Sequence, residues 1–163
     1  MVVERKRNLI FFSIVFLAII ADQLSKLWIR IHILLGQSLP ETGFFRLTHG
    51  RNTGAAFGIF QGHNSTLTIL VITVAILILI YFFFIHDRYP FLYTRLNTIS
   101  LGLILGGVIG NLIDRIHLGY VTDFINIGPW PDFNLADSSG VVGIIIFTFS
   151  TLRVSRNTTF EHH

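Results

Sequence analysis

Four stretches of the chain are apolar over lengths that reach or approach a membrane crossing, and the polar residues collect between them. Leu67 to Ile85 is the cleanest, 19 residues without a charge. As a helix it crosses a hydrocarbon core of about 30 Å. Leu9 to Ile29 is as long but holds Asp22 and Lys26, and Leu96 to Ile116 ends in the polar run GNLIDR. The fourth stretch, Val141 to Leu152, has only 12 residues. It attains spanning length only if it starts near Asn134, which places Asp137 at membrane depth. The pattern predicts an all-α integral membrane protein built as a four-helix transmembrane bundle. Its spans are expected at about 9–29, 67–85, 96–116 and 134–152, in one membrane domain over residues 1–163. The connections 36–64 and 117–133 carry GFFRLTHGRNTGAAFGIF and YVTDFINI, whose aromatic and β-branched residues predict short strands. In the third span Gly102, Gly106 and Gly110 recur every four residues, a face that lets a neighbouring backbone come close.

Composition supports the membrane assignment. Hydrophobic residues make up 52% and charged residues 13%, where a soluble protein has about 25% charged. Mean hydropathy is +0.66. The absence of cysteine excludes disulfides, thiolate metal sites and a cysteine nucleophile. The net charge of +3 is small, and its carriers sit at loop and chain ends, which is a topology signal and not a nucleic-acid footprint. Arg5, Lys6, Arg7, Arg88, Arg95, Arg153 and Arg156 flank one side, and Arg30, Arg46 and Arg51 the other. This imbalance places both termini in the cytoplasm. Trp28, Tyr120 and Trp130 then fall at the outer interface, and Tyr81, Tyr89 and Tyr93 at the inner one. The N-terminus imitates a secretory signal, but no A-x-A site follows and the apolar run continues to Ile29, so an uncleaved first span is expected.

The ionisable residues near the outer ends change the picture from a bundle to a site. Asp22 and Lys26 are four apart on one helix face and able to pair. Asn111, Asp114 and Arg115 lie near the end of the third span, Asp123 just beyond it, and Asn134 and Asp137 at the start of the fourth. Asn52 comes from the first outer connection. Asp22 with Lys26, and Asp114 with Arg115, read as structural ion pairs that fasten helices. Asp137 also reads as a helix N-cap, since DSSG precedes the apolar run. With the pairs assigned, Asp123 and Asp137 remain. Two neighbouring carboxylates share a proton. The ionised one then takes a proton from water while the other donates to a carbonyl oxygen, which is aspartyl peptide hydrolysis.

Five motifs now occur in order: DQLSK at 22–26, NTGAAFG at 52–58, GNLIDR at 110–115, VTDF at 121–124 and FNLADS at 133–138. With these the chain resembles the bacterial lipoprotein signal peptidases, or signal peptidases II, over nearly its whole length. The resemblance implies removal of signal peptides from prolipoproteins in the cytoplasmic membrane, with the cut just before a diacylglyceryl-modified cysteine. It implies Asp123 and Asp137 as the catalytic pair, and Asn52, Asn111, Arg115 and Asn134 as residues that line the site and hold substrate. Asp22, Lys26 and Asp114 are supporting polar residues. It further implies a small β-sheet cradle on the outer face, blockade by the cyclic peptide globomycin, and neither metal nor organic cofactor. A monomer is expected, with membrane lipid and prolipoprotein as its partners.

Three other readings compete. A Ser–Lys peptidase would use Ser138 or Ser139 with Lys26, but Asp22 one turn away opposes the neutral lysine this needs. A small proton-coupled transporter or channel subunit would also carry intramembrane carboxylates. Here they form one layer and not a chain across the bilayer. In a purely structural scaffold, Asp-to-Asn changes would lower stability and nothing else.

Overall fold

The computed structural model describes residues 2–54, 61–86, 88, 92 and 94–160, with backbone alone for 2–3 and 154–160. Residues 55–58 of the NTGAAFG motif, Tyr89, Tyr93 and the Arg156 side chain lie outside the described residues. The elements are α1 (Val2–His32), β1 (Ser38–Leu39), β2 (Phe45–Asn52), α2 (Asn64–Ile80), α3 (Arg95–Leu118), β3 (Val121–Ile127) and α4 (Leu135–Phe160). A π-helical segment, Tyr81–Ile85, continues α2.

Four helical segments are long and apolar enough to cross a membrane: Glu4–His32, Asn64–Ile85, Arg95–Leu118 and Leu135–Arg153. Each overlaps an expected span. The short fourth run becomes a full span because its helix starts at Leu135, so the polar ADSSG turn is helical. Successive helices alternate in direction, so α1 begins and α4 ends at the end away from the sheet.

The third helix is the centre of the bundle, packed against α1, α2 and α4. Half of its span is buried inside the protein, against 17% or less for the others. Its glycines explain how. A Cβ on Gly102 would lie 3.1 Å from Phe11 O, and one on Gly106 would lie 2.6 Å from the Ala18 Cβ. One on Gly110 would lie 2.6 Å from Asp22 Oδ2. The four-residue glycine face is therefore filled by α1 of the same chain. The adjacent Gly107 faces α4, where a Cβ would collide with Ala136 O and sit 2.6 Å from Ser139 Oγ. Gly107→Val is expected to cost about 3 kcal/mol or more, because a backbone carbonyl cannot swing aside. Gly140→Ala, with no atom within 4 Å of the new methyl, is the control. Thermal unfolding in detergent checks both.

Away from the sheet the core is Phe11, Val15, Phe82, Leu101 and Leu105. Phe11 and Phe82 stack with centroids 3.8 Å apart, and the Arg7 guanidinium sits over the Phe82 ring at 4.8 Å. Residues such as Leu9, Phe16, Leu77 and Ile145 are exposed, as an apolar helix surface facing lipid requires.

The connections form an antiparallel sheet in the order β1-β2-β3. Leu47 pairs with Ile125, but the next paired residue, Gly50, meets Asp123. One extra residue on β2 makes a bulge, which shifts the alternation of faces. Neighbours Thr48 and His49 are consequently both buried. His49 Nδ1 bonds Ile33 O at 2.7 Å and ties the bulge to the end of α1. The sheet closes on a second core of Ile29, Ile33 and Phe124. After β3 the chain turns at Gly128, whose φ of 54 is a left-handed value that glycine adopts at little cost. It then returns to bridge Phe133 against Ile125. This return delivers Asn134 and the start of α4 to the side of β3.

Candidate active site

The polar residues predicted from sequence meet where the sheet sits on the helix ends. Asn134 precedes α4, and its Oδ1 accepts from Asp137 N at 2.9 Å. Asp137 Oδ2 accepts in return from Asn134 N at 3.1 Å. This is a reciprocal capping box. The N-cap is therefore Asn134, and Asp137 is the third helical residue, with its remaining oxygen free to reach elsewhere. That oxygen, Oδ1, accepts from Asn111 Nδ2 at 2.8 Å.

Asp123 sits on β3 opposite Gly50 and is 4% exposed. Its Oδ1 accepts from Asn134 Nδ2 at 2.7 Å and its Oδ2 from Asn52 Nδ2 at 2.9 Å. Asn134 thus touches both carboxylates, one by its backbone and one by its side-chain amide. Burial pushes the Asp123 carboxyl up from 3.8 to about 7, and the charge of Asp137 adds to the rise. The hydrogen bonds from Asn52 and Asn134 oppose it. Asp137 is half-buried and lines the same cavity as Asp123.

Beneath this pair lies a buried cation. Lys26 Nζ contacts Asp22 Oδ2 at 2.8 Å, as the spacing predicts, and Asp114 Oδ2 at 3.4 Å. It also donates to Asn111 Oδ1 at 2.8 Å. With Oδ1 occupied by Lys26, the Asn111 amide has one orientation, in which Nδ2 points at Asp137. Asp22 Oδ1 accepts from Ala136 N at 3.0 Å, which joins α1 to the first turn of α4.

The expected pairing of Asp114 with Arg115 is not formed. Consecutive helical residues point about 100° apart and cannot face each other. Asp114 turns to Lys26, to Arg30 at 3.7 Å and to Thr122 N at 2.9 Å. Arg115 instead donates to Gly54 O at 2.7 Å and Asn64 Oδ1 at 3.3 Å. It anchors the segment between β2 and α2. Sequence reasoning also missed Gln23, whose amide bridges Asp22 Oδ2 at 3.1 Å and Gly110 O at 3.0 Å. Its position in DQLSK, beside one member of an ion pair, is the only signal it carried. Asp132, which no sequence motif singles out, also lines the cavity.

The cavity measures about 1040 Å³. Leu70 and Val74 of α2, Ile104 and Val108 of α3, and Val141 and Ile144 of α4 form its apolar walls. Gly50, Trp130 and Asp132 line its sheet side, and Asn111, Asp123 and Asp137 lie between. Such a site has room for an apolar extended ligand along the walls with a polar group at the carboxylates. Among the described residues no group of three or more His, Cys, Asp or Glu is placed to hold a metal ion. Both serine hydroxyls donate to backbone carbonyls, Ser138 to Asn134 O at 2.9 Å and Ser139 to Ala136 O at 2.9 Å. Lys26 is engaged with carboxylates and Asn111, so no Ser–Lys couple is formed.

Comparison with known proteins identifies the family and the fold. The family described as signal peptidase (SPase) II matches residues 14–153. A lipoprotein signal peptidase of Dehalococcoides mccartyi is 47% identical over 156 residues, covering 94% of this chain and 97% of the relative. One of Moorella thermoacetica is 41% identical over 143 residues, covering 87% and 92%. A solved bacterial membrane enzyme, determined by the in meso method at 2.3 Å resolution, superposes with a TM-score of 0.78 at 31% identity over 90% of each chain. The chain is a multi-pass membrane protein and belongs to the lipoprotein signal peptidase family of aspartic peptidases.

Proposed function

We propose that this enzyme removes the signal peptide of diacylglyceryl-modified prolipoproteins by water activated between Asp123 and Asp137, cutting just before the lipidated cysteine. The observation that carries the reading is the convergence of the two carboxylates in one cavity, bridged by Asn134 and half immersed in apolar walls. Residues 1–163 act as one membrane domain with both termini cytoplasmic and the site near the outer face. The apolar walls take the signal helix, and the lipid of the cysteine stays in the bilayer.

Asp123, the more buried acid, keeps its proton up to about pH 7 and Asp137 is the base. Water attacks the carbonyl carbon as Asp137 takes one of its protons, and Asp123 gives its proton to the carbonyl oxygen. The neutral tetrahedral diol then collapses. The C–N bond breaks, Asp137 passes its proton to the leaving amine, and one diol hydroxyl returns a proton to Asp123. The new carboxyl and amine leave with the dyad as it began. Asn52, Asn111 and Asn134 hold the two acids without adding charge. Arg115 lines the path of the peptide, Asn134 is fully buried and acts on the acids alone, and globomycin binds in the same cavity. No resident metal or organic cofactor takes part.

A proton-coupled transporter would need ionisable groups through the bilayer. Asn64–Ile85 has no Asp, Glu, Lys, Arg or His, and the carboxylates gather at the sheet end.

The test is cleavage of purified, diacylglyceryl-modified prolipoprotein in detergent across pH. Asp123 must be protonated, so kcat/KM is expected to fall as pH rises through about 7. Constant kcat/KM from pH 6 to 9 would remove the shared-proton dyad.

A further inference from the structure

The sheet side of the cavity carries an acid that the proposed chemistry does not use. Asp132 lines the cavity with Asp123 and Asp137 and is half-buried. Thr48 Oγ1 donates to its Oδ2 at 2.7 Å, and Asn126 Nδ2 donates to its Oδ1 at 2.6 Å. The Asn126 amide is fixed in turn by Arg46, whose Nε and Nη2 donate to its Oδ1 at 3.0 and 2.8 Å. Both partners of Asp132 are neutral, and among the described residues no Lys or Arg forms an ion pair with it. The carboxylate is thus held rigidly in one pose while its charge stays uncompensated.

Its position is set by Gly50. A Cβ there would lie 3.2 Å from Asp123 O and 3.4 Å from Asp132 Oδ2. Gly50 thus sits close to both the Asp123 backbone and the Asp132 carboxylate, which places Asp132 beside the strand that bears the proposed acid. The apolar walls extend from the dyad away from the sheet, so the signal peptide lies there. The polypeptide following the scissile bond must leave on the sheet side. An extended chain advances about 3.3 Å per residue, so the first residues beyond the cut pass this carboxylate.

We propose that Asp132 is a specificity-determining residue that selects substrates by the charge of the residue immediately following the lipidated cysteine. A basic side chain there meets a fixed negative charge and an acidic one is repelled. The proposal rests on the peptidase reading above.

The experiment uses two diacylglyceryl-modified prolipoproteins that differ only in Lys or Asp at that residue. Wild type, Asp132→Asn, Asp132→Lys and Thr48→Val are assayed at about 20 mM and about 500 mM NaCl. In wild type at low salt the Lys substrate is expected to have about tenfold higher kcat/KM than the Asp substrate. High salt shrinks the ratio. Asp132→Asn brings it near one, Asp132→Lys inverts it, and Thr48→Val, which removes a hydrogen bond but no charge, keeps it. Equal rates on both substrates in wild type overturn the proposal alone. So does a ratio unmoved by Asp132→Asn and Asp132→Lys, or lowered by Thr48→Val as much as by Asp132→Asn. These last outcomes give Asp132 the role of a sheet staple. A wild type that cuts neither substrate overturns the peptidase reading and this inference with it.

Discussion

Asp123→Asn and Asp137→Asn are each expected to lower kcat/KM on a diacylglyceryl-modified prolipoprotein by about 10³-fold or more. The two lose it for different reasons. An amide at 137 cannot take the proton of the attacking water. An amide at 123 can still hydrogen-bond the carbonyl oxygen but cannot deliver a proton to it. The double variant should be little worse than either single one, since residues that act as a unit do not contribute additively. Retention of a tenth or more of wild-type activity in either would move the chemistry elsewhere. The same change at 123 has a second, opposite effect on stability. In the folded protein Asp123 keeps its proton to about pH 7, against 3.8 for an ordinary aspartate. Between those values the folded state binds more protons than the unfolded one, so stability falls as pH rises through that window. Above about 7 the fold carries the full cost of a buried ionised carboxylate, on the order of 4 kcal/mol. Asp123→Asn removes this dependence. Melting curves of the wild type should therefore decline from pH 4 to 7 relative to those of the inactive variant. Parallel curves would mean that Asp123 is ionised throughout.

The hydropathy pattern disclosed the fold well because lipid imposes a simple demand. Long apolar runs become helices, since every backbone group must bond within the segment. The ambiguity at Val141 was resolved by chemistry that hydropathy does not weigh. Asn134 and Asp137 cap each other, so a polar turn becomes helical and lengthens the span. The candidate site was legible wherever spacing determines contact, as for Asp22 with Lys26. It was illegible where contact depends on how two helices are rotated. Asp114 and Arg115 are adjacent in sequence, and that adjacency suggested a pair. On a helix it separates them, and Lys26 from another helix took the carboxylate. Asp132 was hidden for a related reason. It matters because of a bulge in β2 and a return of the chain after Gly128, and neither has a hydropathy signature. Asp123 and Asp137 stood out by elimination, although one of the ion pairs used in that elimination does not exist. Asp114 still finds a cation, so both acids still remain, but so does Asp132, which the elimination did not weigh.

Lys26→Met is expected to be the most destabilising single change at the site, costing about 3–5 kcal/mol. Lys26 is fully buried between Asp22 and Asp114, which are 0% and 1% exposed. Methionine fills much of its volume but leaves two carboxylates in a dry site, where among the described residues Arg30, at 3.7 Å from Asp114, is the cation left at ion-pair distance. For a fold with about 5–15 kcal/mol in hand, this approaches the limit of accumulation. Pairing the change with Asp22→Asn removes one stranded charge, and the double variant should melt above the Lys26→Met single. Such a non-additive result identifies a coupled pair. The rescued protein then separates support from chemistry. Lys26 fixes the Asn111 amide through Oδ1, and that amide donates to Asp137. Without the lysine the amide is free to flip and present its oxygen to the base. A lost hydrogen bond to a charged group corresponds to about tenfold to hundredfold in rate. The folded double variant should accordingly show kcat reduced by that factor with KM little changed, because Asn111 would act on the base and not on the peptide. Full kcat in a folded double variant would make Lys26 a fastener only. Loss of kcat with intact KM would place α1, which carries neither proposed catalytic acid, among the elements that set the reactivity of the pair.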